Sequence, residues 1–245
     1  MTVTKQAMPH LRQAVRDDAH GPLPTLLLAL TVLAGVVDAT SILRLGNVFV
    51  ATVTGNLVFI GLAAAGAKGF AVGASALALG GFVIGVLIGG RACEASGSHR
   101  GVALRAVLTV KLCLASTVTL IAILTGPHFS TAARDGIVVL LATSMGAQLA
   151  AIRFLKVPDL LTVVLTMTIT GVLTERKRGW HDPAMLRRGL SVVAFAFGAL
   201  SGALLILNVG VAAALSFGLA IIIATRIAAE GVSRSSASWC APRSA

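Results

Sequence analysis

Tyrosine is absent from this 245-residue chain, and aromatic residues of all kinds make up only 4%. Charged residues amount to 12%, about half the ~25% of an ordinary soluble domain. Acids are the scarcest: Asp and Glu total 9, against 20 Lys and Arg. There are three cysteines, Cys93, Cys113 and Cys240. They show no metal-ligand spacing and no even framework, so neither a zinc module nor a structural disulfide is implied. The five histidines, His10, His20, His99, His128 and His181, fall in tails or loops without an H-E-x-x-H pairing. No G-x-S-x-G occurs, and Gly61-x4-Gly66-Ala67-Lys68 lacks the Lys-Ser or Lys-Thr of a phosphate loop. These gaps argue against a soluble enzyme, a disordered chain and a coiled coil. No enzymatic activity, cofactor or metal is expected.

What is present is apolar. Hydrophobic residues reach 56% and the mean hydropathy is +0.93. A membrane helix needs about 20 mostly apolar residues. Runs of that kind cover about 23–43, 48–65, 70–90, 102–124, 136–152 and 160–173, the last short and rich in Thr. A longer stretch from Gly189 to Thr225 would make about 55 Å of helix, too much for a core of about 30 Å. Turn residues Asn208-Val209-Gly210 near its middle split it in two. The reading is an all-α, polytopic transmembrane helix bundle of about eight spans, with seven as the alternative. Residues 1–22 form a polar, disordered N-terminal tail, 23–229 the membrane domain, and 230–245 a disordered C-terminal tail. A cleaved signal peptide is disfavoured by the long polar lead-in and the absence of a small-residue cleavage site.

The +11 net charge would suggest nucleic acid in a soluble protein. Here the cations sit between apolar runs and no basic stretch is interleaved with aromatics, so no nucleic-acid partner is expected. Their distribution records orientation instead. With eight spans, thirteen Lys and Arg fall on the side of the termini and six opposite, although the connection from Arg91 to Arg105 runs against the trend. Both termini are expected in the cytoplasm, in a bacterial inner membrane.

Internal similarity divides the chain in two. Gly35-Val36-Val37-Asp38-Ala39 aligns with Gly146-Ala147-Gln148-Leu149-Ala150 at an offset of 111. Gly81-x-x-x-Gly85 aligns with Gly198-x-x-x-Gly202 at an offset of 117. The expectation is two parallel four-helix repeats, about 23–125 and 134–229. Transporters are often built from such repeats, with sites at the interface between them.

The segments Ala34-Gly35-Val36-Val37-Asp38-Ala39 and Val48-Phe49-Val50-Ala51-Thr52-Val53-Thr54-Gly55-Asn56 resemble the YoaK-type family of bacterial integral membrane proteins. That family carries a G-x-x-D-A motif followed by F-V-A-x-x-T-G-N. Its second half typically has G-x-Q-N-A and a later T-G-T. Gly146, Gln148 and Ala150 match the former, with Leu149 in place of Asn, and Leu165-Thr166-Met167 replaces the latter. The resemblance spans about Leu26 to Ala229. It implies a bacterial inner-membrane protein of a family without assigned function, and no particular substrate.

Asp38 is the only acid inside a predicted span, and Lys111 the only Lys. Buried charges in a membrane are costly and pair, meet water or serve function. Asp38 either carries a solute or ion, pairs with Lys111, reaches the headgroups, or caps a neighbouring helix. Thr52 and Asn56 share a helix face with Thr54 between them, and Thr166 belongs to a hydroxyl stripe with Thr162 and Thr170. Such groups line a solute path or hydrogen-bond helices together. Gly81, Gly85, Gly89, Gly198 and Gly202 are read as close helix contacts. The functional expectation is a secondary permease or channel-like carrier for a small solute, with Asp38, Thr52, Thr54, Asn56, Lys111, Gln148 and Thr166 as substrate-binding candidates. The rival is a non-transporting assembly or sensory partner. The lipid bilayer is the one firm partner, and homo-oligomers are compatible with the pattern.

Overall fold

The computed structural model describes residues 14–16, 19–126, 129–157 and 183–240. Seven α-helices occur among them: α1 (Leu23–Arg44), α2 (Gly55–Ala64), α3 (Val72–Ala95), α4 (Arg100–Thr125), α5 (Thr131–Leu155), α6 (Pro183–Asn208) and α7 (Val211–Ser233). All except α2 are long and apolar enough to cross a membrane. An apolar helix satisfies its backbone internally, which is what the hydrocarbon core demands.

Helix ends fall where the sequence supplies turn chemistry. Gly126 ends α4 with a φ of 70°, a conformation open to glycine. The Ser130 hydroxyl accepts from the Ala133 N–H and starts α5. His99 likewise accepts from the Val102 N–H at the start of α4. Gly210, with φ 129°, separates α6 from α7 where the long apolar stretch was divided.

The spans number six among the described residues, where the sequence suggested eight. The second apolar run yields only the ten-residue α2, about 15 Å long and half the hydrocarbon thickness. The sixth run, with Thr162, Thr166 and Thr170, lies outside the described residues.

Helix directions follow from residue pairs. Gly81, Gly85 and Gly89 of α3 meet Val139, Thr143 and Ala147 of α5 in ascending order, so these helices are parallel. Gly198 and Gly202 of α6 meet Val32 and Val36 of α1, also in parallel. Gly101, Arg105 and Thr109 of α4 meet Val232, Glu230 and Arg226 of α7 in descending order, so that pair is antiparallel. The short links after α3, α4 and α6 reverse the chain. Thus α1, α4 and α6 run one way and α3, α5 and α7 the other. The two segments that open the expected repeats, α1 and α5, therefore point in opposite directions, which contradicts two parallel halves. The glycine register shifts as well. By their contacts Gly85 corresponds to Gly198 and Gly89 to Gly202, an offset of 113 where sequence comparison gave 117.

The described parts of both tails meet on one face. Trp239 lies against Gly21 and its carbonyl accepts from Arg100, while the Arg187 guanidinium donates to the Ala14 carbonyl at 2.9 Å. The described parts of both tails are therefore docked, and the tail residues Ala14 and Cys240 are buried. On this face also lie Arg16, Arg91, Arg105, Arg153, Lys156, Arg188, Arg226 and Arg234. The opposite face holds Arg44, Lys68 and Arg134. The Arg91–Arg105 connection, discordant with eight spans, is concordant here.

Helices α1 and α5 occupy the centre, each with 67% of its most apolar window buried, against 22% for α6. On α6, Val193, Phe197, Leu200, Leu204 and Leu207 recur at helical spacing on the exposed side, a face suited to lipid.

Candidate functional site

Between α1 and α2 the chain leaves helical form for ten residues, 45–54. Unpaired backbone groups in the hydrocarbon region cost several kcal/mol each. Side chains satisfy them. Asp38 Oδ1 accepts from the N–H groups of Val50 (3.0 Å) and Ala51 (2.8 Å). Its Oδ2 accepts from the Thr52 N–H (3.1 Å) and the Thr52 hydroxyl (2.6 Å). Asn56, the second residue of α2, performs the complementary task. Its Oδ1 accepts from the Phe49 N–H at 2.9 Å, and its amide donates to the Phe49 carbonyl at 2.6 Å. Asp38 is 3% exposed and Asn56 fully buried.

This joint sets the path of the chain. Asp38 lies six residues before the end of α1, about 9 Å back along the axis. The residues bound to it have therefore turned back into the bundle. From there α2 returns to the face it left, because Asn47 donates to the Gly69 carbonyl at 3.1 Å across the two ends of the excursion. Phe59 of α2 stacks between Phe49 and Phe70, with ring centroids 5.3 and 4.9 Å apart. The segment 45–71 is a re-entrant hairpin whose helical half begins at depth.

Lys111 is fully buried about 17 Å along α4. Its ammonium donates to the Ser144 carbonyl (3.2 Å) and hydroxyl (3.1 Å). The expected pairing with Asp38 does not form, since each group has other partners. A cavity of about 20 Å³ lies between α1, α4, α5 and α7, bounded by Ser144, Thr119 and apolar side chains including Leu33, Val37 and Gly218. Gln148, one turn from Ser144, donates to the Leu30 carbonyl at 3.3 Å, and its buried Oε1 has no partner.

The candidates thus separate into two groups. Asp38, Thr52 and Asn56 belong to the hairpin joint, with Thr54 exposed beside it. Lys111 sits at Ser144 near the cavity. Gln148 is a turn away on α5, and Thr166 lies outside the described residues. Ser144 was missed, although a hydroxyl in mid-run is a visible signal. Among the described residues no group of three His, Cys, Asp or Glu is placed to hold a metal.

The five glycines face backbone. A Cβ on Gly85 would collide with the Thr143 carbonyl, and one on Gly198 with the Val32 carbonyl. The same atom would come within 2.8 Å of Val139 at Gly81, 2.7 Å of Ala147 at Gly89 and 2.9 Å of Val36 at Gly202. Gly35 and Gly146, noticed as repeat and family-motif residues, answer from the other side, against the Phe195 and Phe82 carbonyls.

Residues 26–228 match the model of the family described as Protein of unknown function (DUF1275). The chain belongs to the DUF1275 family. A curated relative is the UPF0700 transmembrane protein YoaK of Bacillus subtilis (strain 168), 29% identical over 189 residues, which cover 74% of this chain and 82% of the relative. No solved structure matches. The DUF1275 chain is thus a membrane protein, and its two first-half motifs become one object. In G-x-x-D-A, Gly35 lets α6 approach and Asp38 receives the loop. In F-V-A-x-x-T-G-N, Asn56 clamps the Phe49 backbone, and Gly55 leaves room for the Phe49 ring, which a Cβ would approach to 2.7 Å.

Proposed function

We propose that the protein is a secondary permease or channel-like carrier for a small solute, a multi-pass protein of the bacterial cytoplasmic membrane with both termini in the cytoplasm. The observation that carries this reading is the re-entrant hairpin. Breaking a helix at membrane depth is tolerated where the exposed backbone is buried in protein or lines a cavity. Carriers use such half-helices at sites between oppositely directed repeats. The opposed directions of α1 and α5, of α3 and α6, and of α4 and α7 support a two-fold relation of that inverted kind. In it Asp38 corresponds to Leu149 at the offset of 111, so that position carries no carboxylate in the second half. The cation-rich face that carries both tails supports the cytoplasmic placement.

The hydrogen bonds change the assignment of roles. Both Asp38 oxygens are occupied by the loop, so Asp38, Thr52 and Asn56 are positioning residues for the hairpin. The charged group assigned to the solute is Lys111, which reaches the cavity between α1, α4, α5 and α7 through the cavity-lining Ser144. Purified protein in liposomes, offered a panel of labelled metabolites and inorganic ions, is expected to show gradient-driven flux of at least one, and Lys111→Met to abolish it. Folded protein that moves none of them and copurifies with a second protein would favour an assembly or sensory partner.

A further inference from the structure

We propose that Lys111 and Ser144 form a binding site for a small monovalent inorganic anion of the halide class at the centre of the bundle. As a statement about the solute this rests on the carrier reading above; as a binding site it stands on its own geometry. Lys111 is fully buried, and its described partners are two neutral acceptors on one residue, the Ser144 carbonyl and hydroxyl. An ammonium has three N–H groups, so one is left after these two bonds. The described carboxylates are engaged or distant. Asp38 is saturated by the loop, Asp135 pairs with Arg134, and Glu230 pairs with Arg105, Arg226 and Arg234. Glu94 is in the last turn of α3.

A buried lysine without a protein carboxylate keeps its proton only where an anion offsets the charge, and otherwise becomes the neutral amine. Ser144 borders the cavity, and its hydroxyl, which accepts from Lys111, retains a proton to donate. The Thr119 hydroxyl on the same wall already donates to the Ala115 carbonyl. The donor on the cavity wall is thus the Ser144 O–H, with the Lys111 ammonium hydrogen-bonded to it from behind. A volume of about 20 Å³ admits a particle the size of one water. That size favours a monatomic anion over carboxylates and phosphates, and a divalent anion would leave charge unbalanced. Apolar walls repay dehydration poorly, so weakly hydrated halides are favoured over fluoride. The site is single. Leu33 occupies the position that matches Ser144 at the offset of 111, and it packs on Gly218.

The test uses the full-length protein purified in detergent. Melting is measured in sodium chloride against sodium gluconate at equal ionic strength, for wild type, Lys111→Met and Ser144→Ala, and flux is measured with the same preparations in liposomes. The expected result is a saturable rise in melting temperature with chloride, matched by bromide, lost in Lys111→Met and weakened in Ser144→Ala. Equal melting of the wild type in chloride and gluconate overturns the proposal. So does a chloride shift undiminished in Lys111→Met or, should that variant not fold, in Ser144→Ala. Chloride binding without flux of any solute keeps the site and removes the carrier. Flux of another solute, with wild-type melting equal in chloride and gluconate, keeps the carrier and removes the site.

Discussion

Asp38 accepts four hydrogen bonds from a loop of three residues, and that makes it the keystone of the hairpin. Asparagine has nearly the same shape but presents an NH₂ group to donors. Asp38→Asn should therefore lower stability by about 3 kcal/mol, at the scale of a buried charge-assisted bond lost with its partners stranded. Thermal unfolding in detergent checks this. Adding Lys111→Met should not restore the loss, because the two side chains have separate partners. Recovery in the double variant would show that they form a pair. Asn56→Leu should likewise destabilise, since the Phe49 N–H and carbonyl would lose both partners in a buried place. The sequence marked Asp38, Thr52 and Asn56 as unusual by polarity and spacing. It did not reveal their role, because three of the four groups bound to Asp38 are main-chain N–H donors, which every residue but proline carries. Lys111 was equally visible, yet its partner is a serine, which no charge rule selects.

At the scale of helices, the glycines divide by what they face. Gly85 and Gly198 face a carbonyl on the neighbouring helix, whereas Gly73 and Gly80 face open space. Gly85→Ala and Gly198→Ala should each cost about 1–3 kcal/mol through overpacking, while Gly73→Ala and Gly80→Ala should be neutral or slightly stabilising. Melting temperatures of the four variants in one detergent check the contrast. Equal values would remove the close-contact role. The helix limits at Gly126 and Gly210 were legible because glycine is strong punctuation, whereas the run read from 136 missed the Ser130 cap that starts α5 at Thr131. The register between halves was not legible. Gly- and Ala-rich helices align acceptably at several offsets, and only the contacts with Val32 and Thr143 select one.

For the molecule as a whole, apolar runs gave the class and the common side of both tails, and they overcounted the spans. A hydropathy pattern cannot distinguish a crossing from an excursion, because the run at 48–65 is as apolar as its neighbours. The distinction lies in long-range bonds, from Asp38 to residues 50–52 and from Asn47 to Gly69. With six crossings Lys68 lies opposite the tails, whereas an eight-span chain would place it on their side. The direct test is labelling of Ala67→Cys, in a background with the native cysteines replaced, by a membrane-impermeant maleimide on intact cells. Ser98→Cys serves as the control on the tail face. The re-entrant hairpin requires Ala67→Cys to label from outside and Ser98→Cys to label only after the membrane is opened. Ala67→Cys protected in intact cells and labelled together with Ser98→Cys would mean that α2 crosses the membrane, and the hairpin would be wrong.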